Sequence, residues 1–449
     1  MKSFSRGVQD FVEFDFFAEN ILLRCREMRE CAGQKFFSFG CFAVTLEWSM
    51  KKALLLTNEY PPHIYGGAGI HVKYLSDELA KLLPVEVRCF GEQNLQEDRL
   101  TVRGFPAPAA GDYLCPKFLA PVFGAARRSL DFNSAGIDAD LVHCHTWYTH
   151  LGGIFAKINY GTPLVLTAHS LEPLRPWKHE QLKGGYDFSC WVERTAIEMA
   201  DAVIAVSQET RDDILRLFQI DSKKVHVIHN GIDLDEYRHT QDASVLPRFG
   251  IDADKPYILF LGRITRQKGI MHLMNAIAHL SPDFQIVLCA GAPDTPEIAA
   301  EMRNAVEMAQ REREGIVWIE QMLDTPTKIV LYSHAELFVC PSIYEPFGII
   351  NLEAMACETP VVATATGGIP EVVADGETGR LVPITYEKGT YQPADPEAFS
   401  RALAEAVNAL MADKPLRRAY AQAGRRRVEK YFSWASIAKQ TLSLYETLT

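Results

Sequence analysis

The sequence contains no run of about 18 apolar residues, so no membrane-spanning helix is expected. It has no C-x-x-C pair either. Its ten cysteines are scattered over 449 residues, which gives neither a disulfide framework nor a zinc ribbon. Cys89, Cys144, Cys289 and Cys340 sit inside apolar runs and read as small buried hydrophobes of a reducing, cytoplasmic compartment. Positive charge is in deficit: 46 Lys+Arg against 57 Asp+Glu leaves a net charge of −11. That balance argues against a nucleic-acid or anionic-membrane partner and leaves room only for a local basic pocket. No internal repeat of about 20–50 residues is present. What remains, 47% hydrophobic and 23% charged residues, is the composition of a soluble globular protein of two or three domains.

Proline is missing from the first 49 residues, which hold nine of the 24 phenylalanines. The run Lys35–Leu46 has the charge and apolarity of a signal peptide but lies far from Met1 and lacks a small-residue cleavage site. Residues 1–49 therefore read as an appendage, with Met50 the expected start of the protein. From Ala53 short apolar runs alternate with helical periods, the pattern of a parallel sheet covered on both faces. Ala53–Thr57, Val85–Phe90, Asp140–His143, Pro163–Thr167 and Ala202–Val206 form one series. Tyr257–Leu261, Gln285–Ala290, Ile316–Ile319, Leu337–Val339, Pro360–Ala363 and Gly379–Val382 form another. The expected fold is α/β: two doubly wound Rossmann-like domains, 50–233 and 255–430, joined by a polar linker over 234–254. Ligands of such sheets bind at the carboxyl ends of the strands, so facing domains share one cleft.

Three loops could carry chemistry there. Tyr65-Gly66-Gly67-Ala68-Gly69 follows the first strand and opens a helix, an arrangement suited to an anion. It lacks the third glycine of a dinucleotide fingerprint and the Gly-Lys-Ser/Thr of a Walker loop. Gly262-Arg263-Ile264-Thr265-Arg266-Gln267-Lys268-Gly269 places two cations on one rim, which suits a diphosphate. In Tyr344-Glu345-Pro346-Phe347-Gly348, a strand-end turn leads to a helix carrying Glu353, and each carboxylate can accept bonds from sugar hydroxyls. The D-x-D sequences fall at turns or in the linker. His143 and His145 share a strand face without an evident third ligand, so no metal site is expected.

The Gly-Arg…Lys-Gly loop, the Glu-x7-Glu pair and Thr366-Gly367-Gly368-Ile369-Pro370-Glu371 resemble the retaining nucleotide-sugar glycosyltransferases of the GT-B fold, family 4 type. The stretches T-N-E-Y-P-P, G-G-A-G-x-H-V, H-x-H-T-W-Y, T-A-H-S-L-E-P-L-R-P-W-K and W-x-E-R-T-A narrow the likeness to the short, actinobacterial type of bacterial glycogen synthase, which uses ADP-glucose. The resemblance runs from Met50 to the C-terminus. It implies that Arg263 and Lys268 grip the donor diphosphate and that Glu353 binds the ribose. Glu345, with the backbone of Phe347 and Gly348, holds sugar hydroxyls. Gly66 and Gly67 close on the phosphates, His169 lies under the anomeric carbon, and Asn230 lines the cleft. It also implies that the C-terminal segment 431–449 is a helix crossing back to the first domain. No cofactor or metal is expected, only a nucleotide-sugar co-substrate.

The activity so implied is retaining transfer of glucose from ADP-glucose to an α-1,4-glucan. The alternative acceptor is glucose 1-phosphate, giving maltose 1-phosphate. His145-Thr146-Trp147 stands where longer glycogen synthases have His-Asp-Trp, so an acceptor-side acid is absent. A nucleotide-sugar epimerase is the alternative of another class, disfavoured by the complete Arg/Lys and Glu-pair set. An NAD-dependent oxidoreductase is disfavoured by the missing glycine, and a non-catalytic nucleotide-sugar sensor by the intact Arg263, Lys268, Glu345 and His169.

Overall fold

The computed structural model describes residues 52–64, 66–106 and 115–449. The appendage read over 1–49 lies outside them, and Met50–Thr449 form a compact unit of their own. The first half runs β1 (Ala53–Thr57), α1 (Gly67–Ala80), β2 (Val85–Phe90), β3 (Asn94–Gln96), β4 (Leu100–Phe105), α2 (Ala120–Ser134), β5 (Leu141–His145), α3 (Trp147–Tyr160), β6 (Leu164–Ala168), α4 (Lys178–Leu182), α5 (Gly184–Met199), β7 (Ala202–Ala205), α6 (Gln208–Leu217) and β8 (Val225–Val227). These strands form an eight-stranded sheet in the order β3-β4-β2-β1-β5-β6-β7-β8, parallel except for β3. The second half runs β9 (Tyr257–Arg263), α7 (Ile270–Ala276), β10 (Gln285–Gly291), α8 (Pro296–Glu312), β11 (Ile316–Ile319), α9 (Thr325–His334), β12 (Leu337–Cys340), α10 (Ile349–Ala356), β13 (Val361–Thr364), α11 (Ile369–Val372), β14 (Gly379–Val382), α12 (Pro396–Ala412), α13 (Lys414–Tyr431) and α14 (Trp434–Glu446). Its six-stranded parallel sheet has the order β11-β10-β9-β12-β13-β14.

Each sheet separates two cores, and the period of two along a strand decides which residue goes where. Ala53 and Leu55 of β1 pack with α1 and α14, whereas Leu54 and Leu56 pack with Phe132, Ile154 and Ala196 on the other face. In the second sheet Ile258 and Phe260 face α7, α8 and α12, and Tyr257 and Leu259 face α10 and Tyr332. Strand order reverses between β1 and β5 in one sheet and between β9 and β12 in the other. Each reversal opens a crevice at the strand ends, because the following loops depart to opposite faces. Thr57 and His145 end the first pair of strands, Arg263 and Cys340 the second.

Residues 234–254 are firmly anchored. Tyr237, Leu246 and Ile251 are buried in the core that also holds α10. In the C-terminal segment 431–449 the helix begins at Trp434, separated by a two-residue turn from the helix before it. Helix α13 ends at Tyr431, Phe432 and Ser433 turn the chain, and the Ser433 hydroxyl caps α14 by accepting from Ser436 N–H. Ile232 N–H donates to the Phe432 carbonyl at 2.8 Å. A Cβ on Gly231 would lie 2.7 Å from the Trp434 ring, so only glycine allows this approach. Helix α14 then buries Trp434, Ile437, Ala438, Leu444 and Tyr445 against α1 and the first sheet.

Inside that contact the Tyr445 phenol lies 2.6 Å from His143 Nδ1, and both residues are buried. Tyr445→Phe orphans a buried nitrogen and should destabilise the protein by about 1–3 kcal/mol. Denaturant unfolding of the two proteins measures the difference. Equal midpoints would mean that α14 contributes packing alone.

Candidate active site

The second-domain wall is built at the β9/β12 reversal. Arg263 is the last residue of β9 and continues the face of Tyr257, Leu259 and Leu261. Its Nη1 donates to Asp294 Oδ1 at 3.0 Å, which fixes the guanidinium at the rim. After a short turn Lys268 extends its Nζ to Glu345 Oε2 at 2.6 Å. The same oxygen accepts from Ser342 Oγ at 3.1 Å. The backbone of Glu345 is held as well, its carbonyl accepting from Gly368 N–H at 3.0 Å. Gly367 makes this possible: its φ is +58°, and a Cβ there would lie 1.8 Å from the Glu345 carbonyl oxygen. Gly348 caps α10 at φ +95°, leaving that helix's first amides facing the cleft. The Phe347 side chain is core, stacked on His229 with ring centroids 5.6 Å apart, so only its backbone belongs to the site.

Glu353 stands apart from this wall. It is 2% exposed, and its two oxygens accept from the phenols of Tyr237 and Tyr332, each at 3.0 Å. Lys328 Nζ lies 3.6 Å away. The sequence presents Glu353 as the open partner of Glu345; the structure places it in the core, because Tyr237 and Tyr332 enclose it from elements distant in sequence.

The first-domain wall is built around histidines. His143 and His145 follow Leu141 on one face of β5, and His169 follows the end of β6. His145 Nδ1 and His169 Nε2 are 3.0 Å apart. His71 of α1 stands edge-on to His169, with ring centroids 4.6 Å apart. Asn230 is buried, and its Oδ1 accepts from His71 Nδ1 at 2.7 Å, which orients this histidine. One ligand nitrogen from each of His71, His145 and His169 falls within 4.8 Å of the others. The sequence shows no third ligand beside His143 and His145; in the structure α1 and the β6 end bring His71 and His169 to His145, from positions that sequence spacing does not connect, and His143 stays outside the group. Gly66 N–H donates to Glu59 Oε2 at 2.7 Å, fixing the glycine turn. A Cβ on Gly67 would lie 3.7 Å from Ile349 Cδ1, so this turn meets the start of α10 across the cleft. Thr146 Oγ1 donates to Asn58 Oδ1 at 2.7 Å, tying the β5 end to the same region.

The structure thus brings Gly66, Gly67, His169, Arg263, Lys268, Glu345 and Gly348 to the mouth of the two reversals. Asp294, Ser342, Glu59 and His71, which hold them, were not singled out from sequence; only a strand-end loop position marks Asp294.

A profile described as Glycosyltransferase Family 4 matches residues 65–236, and one described as Glycosyl transferases group 1 matches residues 241–427. An alpha-maltose-1-phosphate synthase of Mycolicibacterium smegmatis is 49% identical over 409 residues, covering 89% of this chain and 100% of that protein. The chain belongs to glycosyltransferase family 4. An alpha-maltose-1-phosphate synthase of Mycobacterium tuberculosis is 48% identical, covering 88% of this chain and 98% of that protein. Sucrose-phosphate synthase from Thermosynechococcus elongatus superposes with a TM-score of 0.72 at 26% identity, covering 89% of this chain and 99% of that one. The catalytic domain of starch synthase IV from Arabidopsis thaliana, at 19% identity and TM-score 0.68 over 89% and 99% of the two chains, shares the fold. The family 4 chain is therefore a glycosyltransferase with the GT-B fold. Among the described residues no helix is long and apolar enough to cross a membrane.

The histidines of this glycosyltransferase give it a pH signature. Burial lowers His71 to about 4 and His143 and His150 to about 3, and holds His145 and His169 well below 6.5. Unfolded, each takes up a proton near pH 6.5. The unfolded state then binds more protons below that pH, and stability falls as pH falls. Two carboxyls, the buried Glu193 and Glu209 at the start of α6, are raised and act the other way; five histidines outweigh them. The melting temperature should therefore drop steadily from pH 7 to pH 5, with each net proton contributing about 1.4 kcal/mol per pH unit. A melting temperature that is flat or higher at pH 5 would contradict this.

Proposed function

We propose that this family 4 enzyme transfers glucose, with retention, from ADP-glucose to glucose 1-phosphate, releasing ADP and maltose 1-phosphate. The observation that carries the reading is the 49% identity over the whole length of an alpha-maltose-1-phosphate synthase. That similarity favours the phosphorylated acceptor over the α-1,4-glucan, and Thr146 in place of an acid agrees with it by keeping a negative charge away from an anionic acceptor. Breaking the glucosyl–diphosphate bond builds negative charge on the leaving phosphate. Cations already fixed in place stabilise that charge without reorganising. In this reading Arg263, oriented by Asp294, and Lys268 take the diphosphate, together with the amides at Gly348 and the Gly66-Gly67 turn. Glu345 accepts from donor-sugar hydroxyls, and His169 lies beneath the reacting carbon. Glu353 reaches the ribose only through the lone pairs that its two tyrosines leave.

Nucleotide release tests it. ADP-glucose should outpace UDP-glucose, and glucose 1-phosphate should outpace glycogen as acceptor; the reverse order in either pair overturns that half of the reading. Arg263→Ala and Lys268→Ala should each lower kcat/KM about 10- to 150-fold, the cost of a charge-assisted hydrogen bond. Glu345→Ala releases Lys268 from its ion pair, so it should lower turnover while ADP binds as tightly as before or tighter. Weaker ADP binding in that variant would place Glu345 on the nucleotide instead.

A further inference from the structure

The segment from His169 to Lys178 forms part of the first-domain wall and reaches the second domain. Leu171 N–H donates to Tyr344 Oη at 3.3 Å, and the Trp177 ring lies 6.0 Å from that of Tyr344, next in sequence to Glu345. Folded into this segment is a compact charge cluster. Lys178, 8% exposed, donates to Glu172 Oε1 at 2.7 Å. Arg175 Nη1 lies 3.5 Å from the same oxygen and donates to Ser170 Oγ at 3.1 Å. Ser189 Oγ donates to Glu172 Oε2 at 3.0 Å, and Glu172 N–H donates to Glu193 Oε2 at 2.7 Å. Glu172 and Glu193 are both buried.

Arg175 and Lys178 share one carboxylate oxygen. Burial opposes ionisation of Glu172, but Lys178 and Arg175 outweigh it and hold its carboxyl below the ordinary range. Burial and the Glu172 carboxylate push Glu193 well up. Burial, with Arg175 beside it, pushes the Lys178 amine down. Two N–H groups on the same segment, Arg175 Nε and Trp177 Nε1, are shielded from solvent with no hydrogen-bond partner among the described residues. Unmet buried donors on a guanidinium and an indole are costly unless an acceptor completes them, and an anion suits the guanidinium best.

We infer that Arg175, with Ser170 and Trp177, forms a subsite for the phosphate of a phosphorylated acceptor. The inference rests on the acceptor reading above and adds the residues that execute it. The donor diphosphate has its own cations, Arg263 and Lys268, on the second-domain wall. The acceptor phosphate has Arg175 on the first-domain wall, one residue range from His169. The two anions are kept on separate walls while the sugar carbons meet between them.

The test compares wild type, Arg175→Ala and Arg175→Lys with ADP-glucose as donor and either glucose 1-phosphate or maltose as acceptor. The ratio of kcat/KM for glucose 1-phosphate to that for maltose should fall about 10- to 100-fold in Arg175→Ala, through acceptor KM, with partial recovery in Arg175→Lys. Inorganic phosphate should compete with glucose 1-phosphate in wild type, with an inhibition constant raised by a similar factor in Arg175→Ala. An equal loss for both acceptors would reduce Arg175 to a structural role, and a raised ADP-glucose KM would place it on the donor; either result overturns the subsite. A wild type that uses maltose but not glucose 1-phosphate overturns the acceptor reading itself. In that case competition by inorganic phosphate, lost in Arg175→Ala, still decides whether the anion site exists.

Discussion

Between the loop that leaves β9 and the loop that leaves β12, the ammonium of Lys268 lies 2.6 Å from the Glu345 carboxylate, joining segments 77 residues apart. The pair is largely shielded from solvent. Removing one member of such a pair leaves an uncompensated charge and costs about 3–5 kcal/mol. The two loops are therefore set in position by each other. Ser342 restrains the same carboxylate, and Gly368 holds its backbone. Everything else on the second-domain wall is placed relative to this junction: Arg263 at the neighbouring strand end, and the start of α10 three residues beyond Glu345.

Where local pattern determines the fold, the sequence is transparent. Continuous apolar runs such as Ala53–Leu56 and Ile258–Leu261 can only be strands covered on both faces, and they fix two parallel sheets. The glycine turn and the Arg/Lys loop are legible because strand-end loops with special residues mark ligand sites in such sheets. Strands β4 and β8 escape notice: Leu100–Phe105 mixes charge and glycine with its apolar residues, and Val225–Val227 is only three residues long. Their pairing is dictated by neighbouring strands, which no local window contains. The same cause hides the placement of Glu353. Its spacing from Glu345 is visible, but the phenols that enclose it come from Tyr237 and Tyr332, and only the folded chain brings these together. Asp294 is equally silent, since nothing about an isolated acid announces the partner it orients; His71 stands in the quoted G-G-A-G-x-H-V stretch, but its approach to His169 does not show there.

The first-domain wall follows different physics from the second. There the polar groups are histidines, kept neutral by burial: His143 bonds Tyr445 and Thr167 through its two ring nitrogens, while His71 and His145 each bond through Nδ1 and leave Nε2 without a partner among the described residues. A neutral imidazole can be packed among apolar residues at far lower cost than a charge. This is why α14 can return from the second domain and lie directly over the ends of the first sheet. His143 joins that helix to the sheet, and His145, two residues on, joins the sheet to His169 at the cleft. Packing and site thus share one strand face.

The cations of the second-domain wall are neutralised from within the fold. On the second domain each cation already has a carboxylate, Arg263 with Asp294 and Lys268 with Glu345. In the proposed reaction a donor diphosphate must compete for these cations, and the exchange it drives is productive. As Lys268 turns toward phosphate, the Glu345 carboxylate it leaves becomes free to accept from the sugar hydroxyls delivered with that phosphate. No charge is stranded at any stage, because the donor carries both the anion for Lys268 and the hydroxyls for Glu345. A nucleotide without its sugar supplies only the first half and leaves Glu345 unmatched. In the proposed reaction this wall would therefore distinguish the intact donor from the released nucleotide by pairing.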